Sequence, residues 1–147
     1  MAIRVASNQS IHDDTARAVG RVYRESGKRV WLNLDGEKNK EWSGFFIDVI
    51  AVATTTPDKA WVVEIETEDS VCASEAESQW ARYGDAYTSW CLAVPGGQEE
   101  AALHLIQEHS VRNCRVASWA KDATGQYTFQ DLPGLEMCLS KVGGAGC

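Results

Sequence analysis

Long apolar runs are missing from this sequence of 147 residues. No stretch approaches the roughly 18 to 20 apolar residues that a membrane-spanning helix needs. The amino-terminal segment MAIRVASNQS also lacks the apolar core of a signal peptide. These absences predict a soluble protein, and we expect it in the cytoplasm.

The sequence also lacks a pattern of paired cysteines. Its five cysteines are widely separated, form no C-x-x-C pair, and have too few of the three histidines near them for a zinc site. We therefore expect reduced structural thiols. A content of 44% hydrophobic and 24% charged residues is typical of globular proteins and excludes extensive disorder. The length predicts a single domain over residues 1–140, followed by a flexible, glycine-rich tail over 141–147.

An excess of positive charge is absent as well. The formal net charge of −7 argues, taken alone, against a protein that coats nucleic acid or lies on an anionic membrane. However, residues 1–40 carry eight basic and five acidic side chains. A helix predicted from an N-cap at Ser10 to about Gly27 places four of the basic side chains opposite its apolar face. These four residues, which we call the basic stripe, are Arg17, Arg21, Arg24 and Lys28. The basic stripe is either a solvated face or a surface that contacts phosphates.

Strand-like segments follow this helix. The second and third, FFIDVIAVA and AWVVEIET, are almost unbroken apolar runs, which is typical of strands covered on both faces. The predicted strands span residues 29–34, 45–53, 60–67, 89–94, 112–119 and 127–130. Two further helices are predicted over about 70–87 and 98–109. The order α-β-β-β-α-β-α-β-β predicts an α/β fold, in which a mixed sheet is flanked by helices on both faces.

Carboxylates interrupt two of these apolar strands, although a carboxylate is seldom buried without a partner. If the two strands form a hairpin centred near Thr56, Asp48 lies opposite Glu64, and Glu66 shares the same face because strand side chains alternate. Neither strand contains Lys or Arg. Three converging carboxylates therefore predict bound Mg²⁺ or Mn²⁺. A register shifted by one residue would instead move Asp48 to the other face and leave the glutamates solvated.

The order of these motifs resembles the PD-(D/E)xK nuclease superfamily, which has the restriction-endonuclease-like fold. The residues that carry the resemblance are Gly44-Phe-Phe-Ile-Asp48, then Glu64-Ile65-Glu66, then Gln79-Trp-Ala-Arg-Tyr83 on the next helix. The resemblance covers roughly residues 10–118 and implies the family's α-β-β-β-α-β core. The last segment is similar to the Q-x-x-x-Y element of the RecB-type exonuclease branch.

This resemblance implies a metal-dependent nuclease that hydrolyses phosphodiester bonds. The metal would be held by Asp48, Glu64 and the backbone carbonyl of Ile65. Glu66 stands where the family usually has a lysine, so it would have to accept the proton of the attacking water. Glu25 on the first helix is the candidate that completes the acidic cluster.

Gln79 and Tyr83 lie one helical turn apart, so both could contact the nucleic-acid backbone. A tyrosine at this helical spacing is also typical of a core residue. The three histidines, His12, His104 and His109, have no ligand spacing and receive no role.

Two alternatives remain open because the lysine is missing. The chain could be a catalytically inactive nuclease-like domain that serves as a binding or scaffold subunit. It could also be a small α/β protein whose acidic pocket binds a cation without nucleic acid. For the nuclease we expect weak, salt-sensitive binding to nucleic acid, with DNA as the first candidate, and a homodimer if the substrate is duplex.

Overall fold

A single six-stranded sheet organises the chain. The computed structural model describes residues 6–135, so the tail predicted over 141–147 lies outside the described residues. The strands lie in the sheet in chain order. They are β1 (Arg29–Leu32), β2 (Val49–Val52), β3 (Ala60–Ile65), β4 (Trp90–Pro95), β5 (Cys114–Lys121) and β6 (Tyr127–Gln130). The β3–β4 and β4–β5 pairs are parallel and the other three pairs are antiparallel, which confirms the mixed sheet.

Helical segments connect these strands in the predicted order. They are α1 (Ala6–Glu25), α2 (Ala73–Glu75), a π-helical turn that we call π1 (Ala76–Trp80), α3 (Ala81–Ala86) and α4 (Glu99–Glu108). The predicted N-cap at Ser10 is wrong, because α1 already includes Ala6. No part of residues 6–135 forms a helix that is both long and apolar enough to cross a membrane.

Both faces of the sheet are covered by helices, as the apolar strands predicted. On one face, Ala16, Val19 and Tyr23 of α1 pack in a core with Val63 and Ile65 of β3. The opposite core combines side chains of π1, α3 and α4 with the other face of the sheet, including Ile50, Val62, Trp80, Tyr83 and Leu92. Burying each Val, Ile or Leu side chain fully contributes about 1.5 to 3 kcal/mol to folding, so these two cores fix the positions of the strand ends.

The β2–β3 hairpin has the register that the sequence predicted. Val49 pairs with Val63 and Val52 with Ala60. Continuing this ladder by one pair places Asp48 opposite Glu64, immediately before β2 begins. The predicted strand over 45–53 is therefore too long at its amino end, because residues 45–48 belong to the connection that follows β1.

In that connection, residues 33–48, the buried side-chain amide of Asn33 makes four hydrogen bonds to the backbone. Asn33 Nδ2 donates to the carbonyl oxygens of Lys40 and Ile47, at 2.8 Å each. Asn33 Oδ1 accepts from the backbone amides of Asn39 and Lys40, at 2.8 and 2.9 Å. These bonds satisfy backbone groups that a strand would have paired, and they turn residues 33–48 into an ordered loop.

Candidate metal centre

A cleft of about 210 Å³ opens between loop 33–48 and the π1–α3 segment, over the ends of β2 and β3. Its floor contains the predicted metal ligands Asp48 and Glu64, and Gln79 and Tyr83 line its helical wall. Loop 33–48 supplies its other wall. The remaining lining residues are His12, Asn33, Leu34, Asp35, Gly36, Glu37, Lys38, Phe45 and Phe46. The structure therefore brings together four of the residues that the sequence singled out.

Asp48 is held in place from three directions. Its backbone carbonyl accepts from the backbone N–H of Asn33 at 2.9 Å, which extends the β1–β2 pairing by one residue. Its Oδ2 accepts from the Ile65 amide at 2.8 Å and lies 2.9 Å from His12 Nε2. The Asp48 carboxylate therefore occupies a fixed position with little conformational freedom. Ile65, which the resemblance placed at the metal through its carbonyl, contacts the site through its N–H.

His12 is the residue that sequence reasoning missed, since it received no role. It is 1% exposed, and its ring lies between carboxylates. While Nε2 faces Asp48, Nδ1 lies 2.9 Å from Asp13 Oδ1 and 3.4 Å from Asp35 Oδ1. Asp13 Oδ1 also accepts from the Asp35 backbone amide at 3.1 Å, so one carboxylate positions both His12 and the start of the loop wall.

The carboxylates of Asp48 and Glu64 are buried close together, where their negative charges would repel each other. The Asp48 amide lies 3.4 Å from Glu64 Oε1, and both residues are buried. Burial raises the pKa of Glu64 well above its usual range, and the charges of Asp48 and Glu66 and a side-chain hydrogen bond to Asp48 raise it further. Two desolvated carboxylates in contact cannot both ionise cheaply, so the pair needs a proton or a cation between its oxygens.

Gln79 and Tyr83 support Glu64 from the helical wall. The amide orientation of Gln79 that satisfies all its neighbours has the amide oxygen accepting from the Tyr83 hydroxyl at 3.0 Å and the amide nitrogen facing two carboxylates. That nitrogen lies 3.2 Å from Glu64 Oε2 and 2.8 Å from Glu75 Oε2. Tyr83 is itself buried, and burial followed by the charge of Glu64 raises its pKa. Tyr83 therefore packs in the core, as its helical spacing indicated, and it also lines the cleft.

Glu66 does not lie in the cleft. It shares the side of β3 with Glu64, as alternation predicted, but it is 0% exposed and absent from the cleft lining. Its Oε2 accepts from Trp80 Nε1 at 2.8 Å. Burial raises the pKa of Glu66 to about 8, against the opposing effect of hydrogen bonds from Ser70 and Trp80. This placement corrects the role expected for Glu66, because Trp80 covers the carboxylate that was to receive the water's proton.

Glu25 and the basic stripe lie away from the cleft. Glu25 is exposed and, at the usual rise of a helix, about 20 Å along α1 from His12, so it does not complete the acidic cluster. Arg17 contacts Asp14 at 3.2 Å. Lys28 donates to the Gly134 carbonyl, and its Nζ lies 4.7 Å from the centre of the Trp61 ring. The Lys28 ammonium group therefore makes its contacts within the folded protein.

Two overlapping sets of side chains could hold a metal ion. Asp48 and Glu64 offer oxygens alone, as the sequence predicted. His12, Asp35 and Asp48 each offer one ligand atom, and these atoms lie within 4.8 Å of one another. In the sequence, His12, Ala16, Val19 and Tyr23 follow the spacing of one buried helical stripe, which indicates that His12 is buried but not which residues it contacts.

Comparisons with known proteins add no assignment: no family model, no curated protein and no solved structure matches this chain.

Proposed function

We propose that this chain is a divalent-cation-dependent nuclease with a restriction-endonuclease-like core, in which Asp48 and Glu64 hold the cation. The observation that carries the proposal is the placement of these two buried carboxylates, in contact, on the floor of an open cleft. A purely structural pair would gain nothing from this arrangement, because desolvation and mutual repulsion destabilise the ionised form. A site that takes up a cation from solvent needs such an arrangement.

The donor groups fit a hard divalent cation. Mg²⁺ and Mn²⁺ prefer carboxylate oxygens and keep several waters, which phosphate oxygens can replace. When bound, such a cation would polarise a phosphodiester and lower the pKa of an attacking water. The chain's own residues would hold the acceptors: the Ile65 amide and His12 orient Asp48, and the Gln79 amide orients Glu64. Residues that orient the ligands of a metal ion in this way tune the affinity of the site for that ion.

One observation favours the second candidate, a catalytically inactive nuclease-like domain that binds or scaffolds. Glu66 occupies the position at which the resembling family carries a lysine, and it is buried behind Trp80. The position that carries the water-activating lysine in the family that the chain resembles therefore does not open into the cleft. Under this candidate, the acidic floor would bind a cation without turnover.

Cleavage assays separate the two candidates. The full chain is incubated with end-labelled single- and double-stranded DNA and RNA in Mg²⁺, Mn²⁺ or EDTA. The variants Asp48→Asn and Glu64→Gln keep the shape of each side chain and remove its charge. Glu77→Gln, which neutralises an exposed carboxylate on π1, is the matched control.

We expect cation-dependent cleavage by the native chain and by Glu77→Gln, and a loss of at least a hundredfold in the two cleft variants. Cleavage that survives in either cleft variant would overturn the assignment of Asp48 and Glu64. If the native chain cuts none of the substrates with either cation, the binding or scaffold candidate replaces the nuclease.

A further inference from the structure

An exposed aromatic ring stands at the mouth of the cleft. Of the residues in the range 6–135, the exposed large hydrophobic side chains are Phe46, at 40%, and Leu103, at 53%. Leu103 lies on α4, whereas Phe46 lines the cleft and is separated from Asp48 by a single residue. Lys38 Nζ, from the same loop, lies 5.8 Å from the centre of the Phe46 ring. An apolar ring and a cation are therefore held together beside the candidate metal ligands.

A second pair of this kind adjoins the first. Phe45 packs edge-on against Tyr83, with ring centres 5.2 Å apart, and Arg82 lies over the Phe45 ring at 5.4 Å. Arg82 is exposed on α3 and lines a neighbouring depression together with Phe45. We call these four residues, Lys38, Phe45, Phe46 and Arg82, the aromatic rim. It extends from the cleft, which Lys38, Phe45 and Phe46 line, to Arg82 on the adjoining surface of α3.

We propose that the aromatic rim binds single-stranded nucleic acid, with an unpaired base stacked on Phe46 and phosphates beside Lys38 and Arg82. This inference rests on the proposed function, whose substrate class it names. Base-on-aromatic stacking supplies affinity in many single-strand binding surfaces and requires an accessible ring face. A base inside a duplex is already stacked on both sides, so it cannot use Phe46 in this way.

The size and charge of the cleft favour a passing strand over an enclosed small molecule or a duplex. A volume of about 210 Å³ is below the roughly 300 to 1,000 Å³ of pockets that enclose ligands. Duplex binding depends on many cationic contacts to phosphates. The rim contributes two cations, while Asp35 and Glu37 line the same cleft wall. Stacking must therefore supply most of the affinity.

The basic stripe is the competing surface, and its position argues against it. Arg17 and Arg24 project from the side of α1 that faces away from Ala16, Val19 and Tyr23. Arg21 lines a separate pocket beside Tyr127 and Phe129 of β6. A strand bound there would not pass over Asp48. The aromatic rim, by contrast, lies directly beside the floor that would act on the phosphodiester.

Fluorescence anisotropy with a labelled dT12 strand and a 12-base-pair duplex tests the proposal. The titrations use the full chain with Ca²⁺, which prefers the same oxygen ligands as Mg²⁺. The variants are Phe46→Ala, Phe46→Trp and the control Leu103→Ala, which removes the other exposed large side chain. Both positions are exposed, so folding, checked by circular dichroism, should persist.

We expect dT12 to bind the native chain at least tenfold more tightly than the duplex. Phe46→Ala should weaken dT12 binding by about 5- to 150-fold, Phe46→Trp should restore it, and Leu103→Ala should leave it unchanged. With two cations in contact, the plot of log K against log salt should have a slope of about −1.4. A strand substituted with 5-iodouracil should photo-cross-link at Phe46.

Equal affinity for strand and duplex, or dT12 binding that is unchanged in Phe46→Ala, would overturn the proposal. Its failure is distinguishable from failure of the nuclease. Cation-dependent cleavage that ignores Phe46 would leave the nuclease standing and remove the rim. Phe46-dependent binding of dT12 without cleavage would leave the rim standing and remove the nuclease.

Discussion

His12 Nε2 lies 2.9 Å from Asp48 Oδ2, although the two residues are separated by 36 positions in the chain. The contact joins α1 to the residue immediately before β2, and His12 Nδ1 faces Asp13 and Asp35 on its other side. Through its two ring nitrogens, His12 therefore connects α1 to both Asp35 and Asp48 of loop 33–48.

Removing the His12 ring should destabilise the fold. We expect His12→Ala to lower the free energy of unfolding by about 1 to 3 kcal/mol, because the buried Asp48 carboxylate loses a hydrogen-bonding partner. Urea denaturation at pH 7 measures the change. His104→Ala is the control, since His104 is 75% exposed and contacts Glu108 at 3.2 Å on the surface of α4. Its effect should stay below about 0.5 kcal/mol. Similar effects of the two substitutions would contradict the role of His12.

Divalent cations should stabilise the native chain. A cation that binds only the folded state adds about 2.7 kcal/mol at a hundred times its dissociation constant, which is a rise of about 5 to 10 °C in melting temperature for a chain of this size. Scanning calorimetry with Mg²⁺ or Mn²⁺ checks this expectation. In Asp48→Asn and Glu64→Gln the rise should be lost, and Glu77→Gln should retain it. A rise of equal size in Glu64→Gln would remove Glu64 from the ligand set.

The buried carboxylate of Glu66 should make stability fall with rising pH. Its pKa is about 8 in the folded protein against an ordinary 4.5, so the unfolded chain loses this proton first. The free energy of unfolding then decreases between about pH 4.5 and pH 8, by a few kcal/mol as an order of magnitude. Glu66→Gln should flatten this dependence, measured by urea denaturation at pH 5, 6, 7 and 8. The same steepness in both proteins would contradict the buried, protonated state.

Close approach of α3 to the chain before β5 depends on Gly84. A Cβ added to Gly84 would lie 2.7 Å from both the backbone nitrogen and the backbone oxygen of Arg112. Gly84→Ala should therefore cost about 1 to 3 kcal/mol and displace the wall that carries Tyr83. Gly96→Ala is the control, because its Cβ would meet the Trp119 carbonyl at an ordinary 3.5 Å. Equal unfolding midpoints for the two variants would show that α3 can shift at little cost.

The floor of the cleft was largely predictable because it depends on strand geometry. The alternation of side chains and the position of the turn placed Asp48 opposite Glu64, and the ladder from Val49–Val63 to Val52–Ala60 confirms that register. The unbroken apolar character of the central strands likewise predicted helices on both faces. Periodic elements can be read in this way because each residue's direction follows from its neighbours.

The walls of the cleft were not predictable, because they depend on contacts between distant segments. His12 acquires its partners only when α1 packs across the sheet, and no local spacing records that packing. Residues 45–48 have the composition of a strand, but a hydrogen bond from the Asn33 side chain to the Ile47 carbonyl and a bridge between Trp42 and Phe45 hold them in a loop. Glu66 has the alternation expected of a cleft residue, yet Trp80 covers it from a neighbouring helical turn.

The floor of the cleft and loop 33–48 differ in how much sequence change they tolerate. The floor is built into the hydrogen-bonded ladder of the sheet, so a residue inserted in the β2–β3 turn would reverse the side on which Asp48 points. Loop 33–48 is anchored by the four hydrogen bonds of the Asn33 side chain and by bonds to Asp13 and Tyr87, and its outer positions should tolerate replacement while these bonds remain. Loops of the same anchoring pattern can therefore be grafted onto an unaltered floor without moving Asp48 and Glu64.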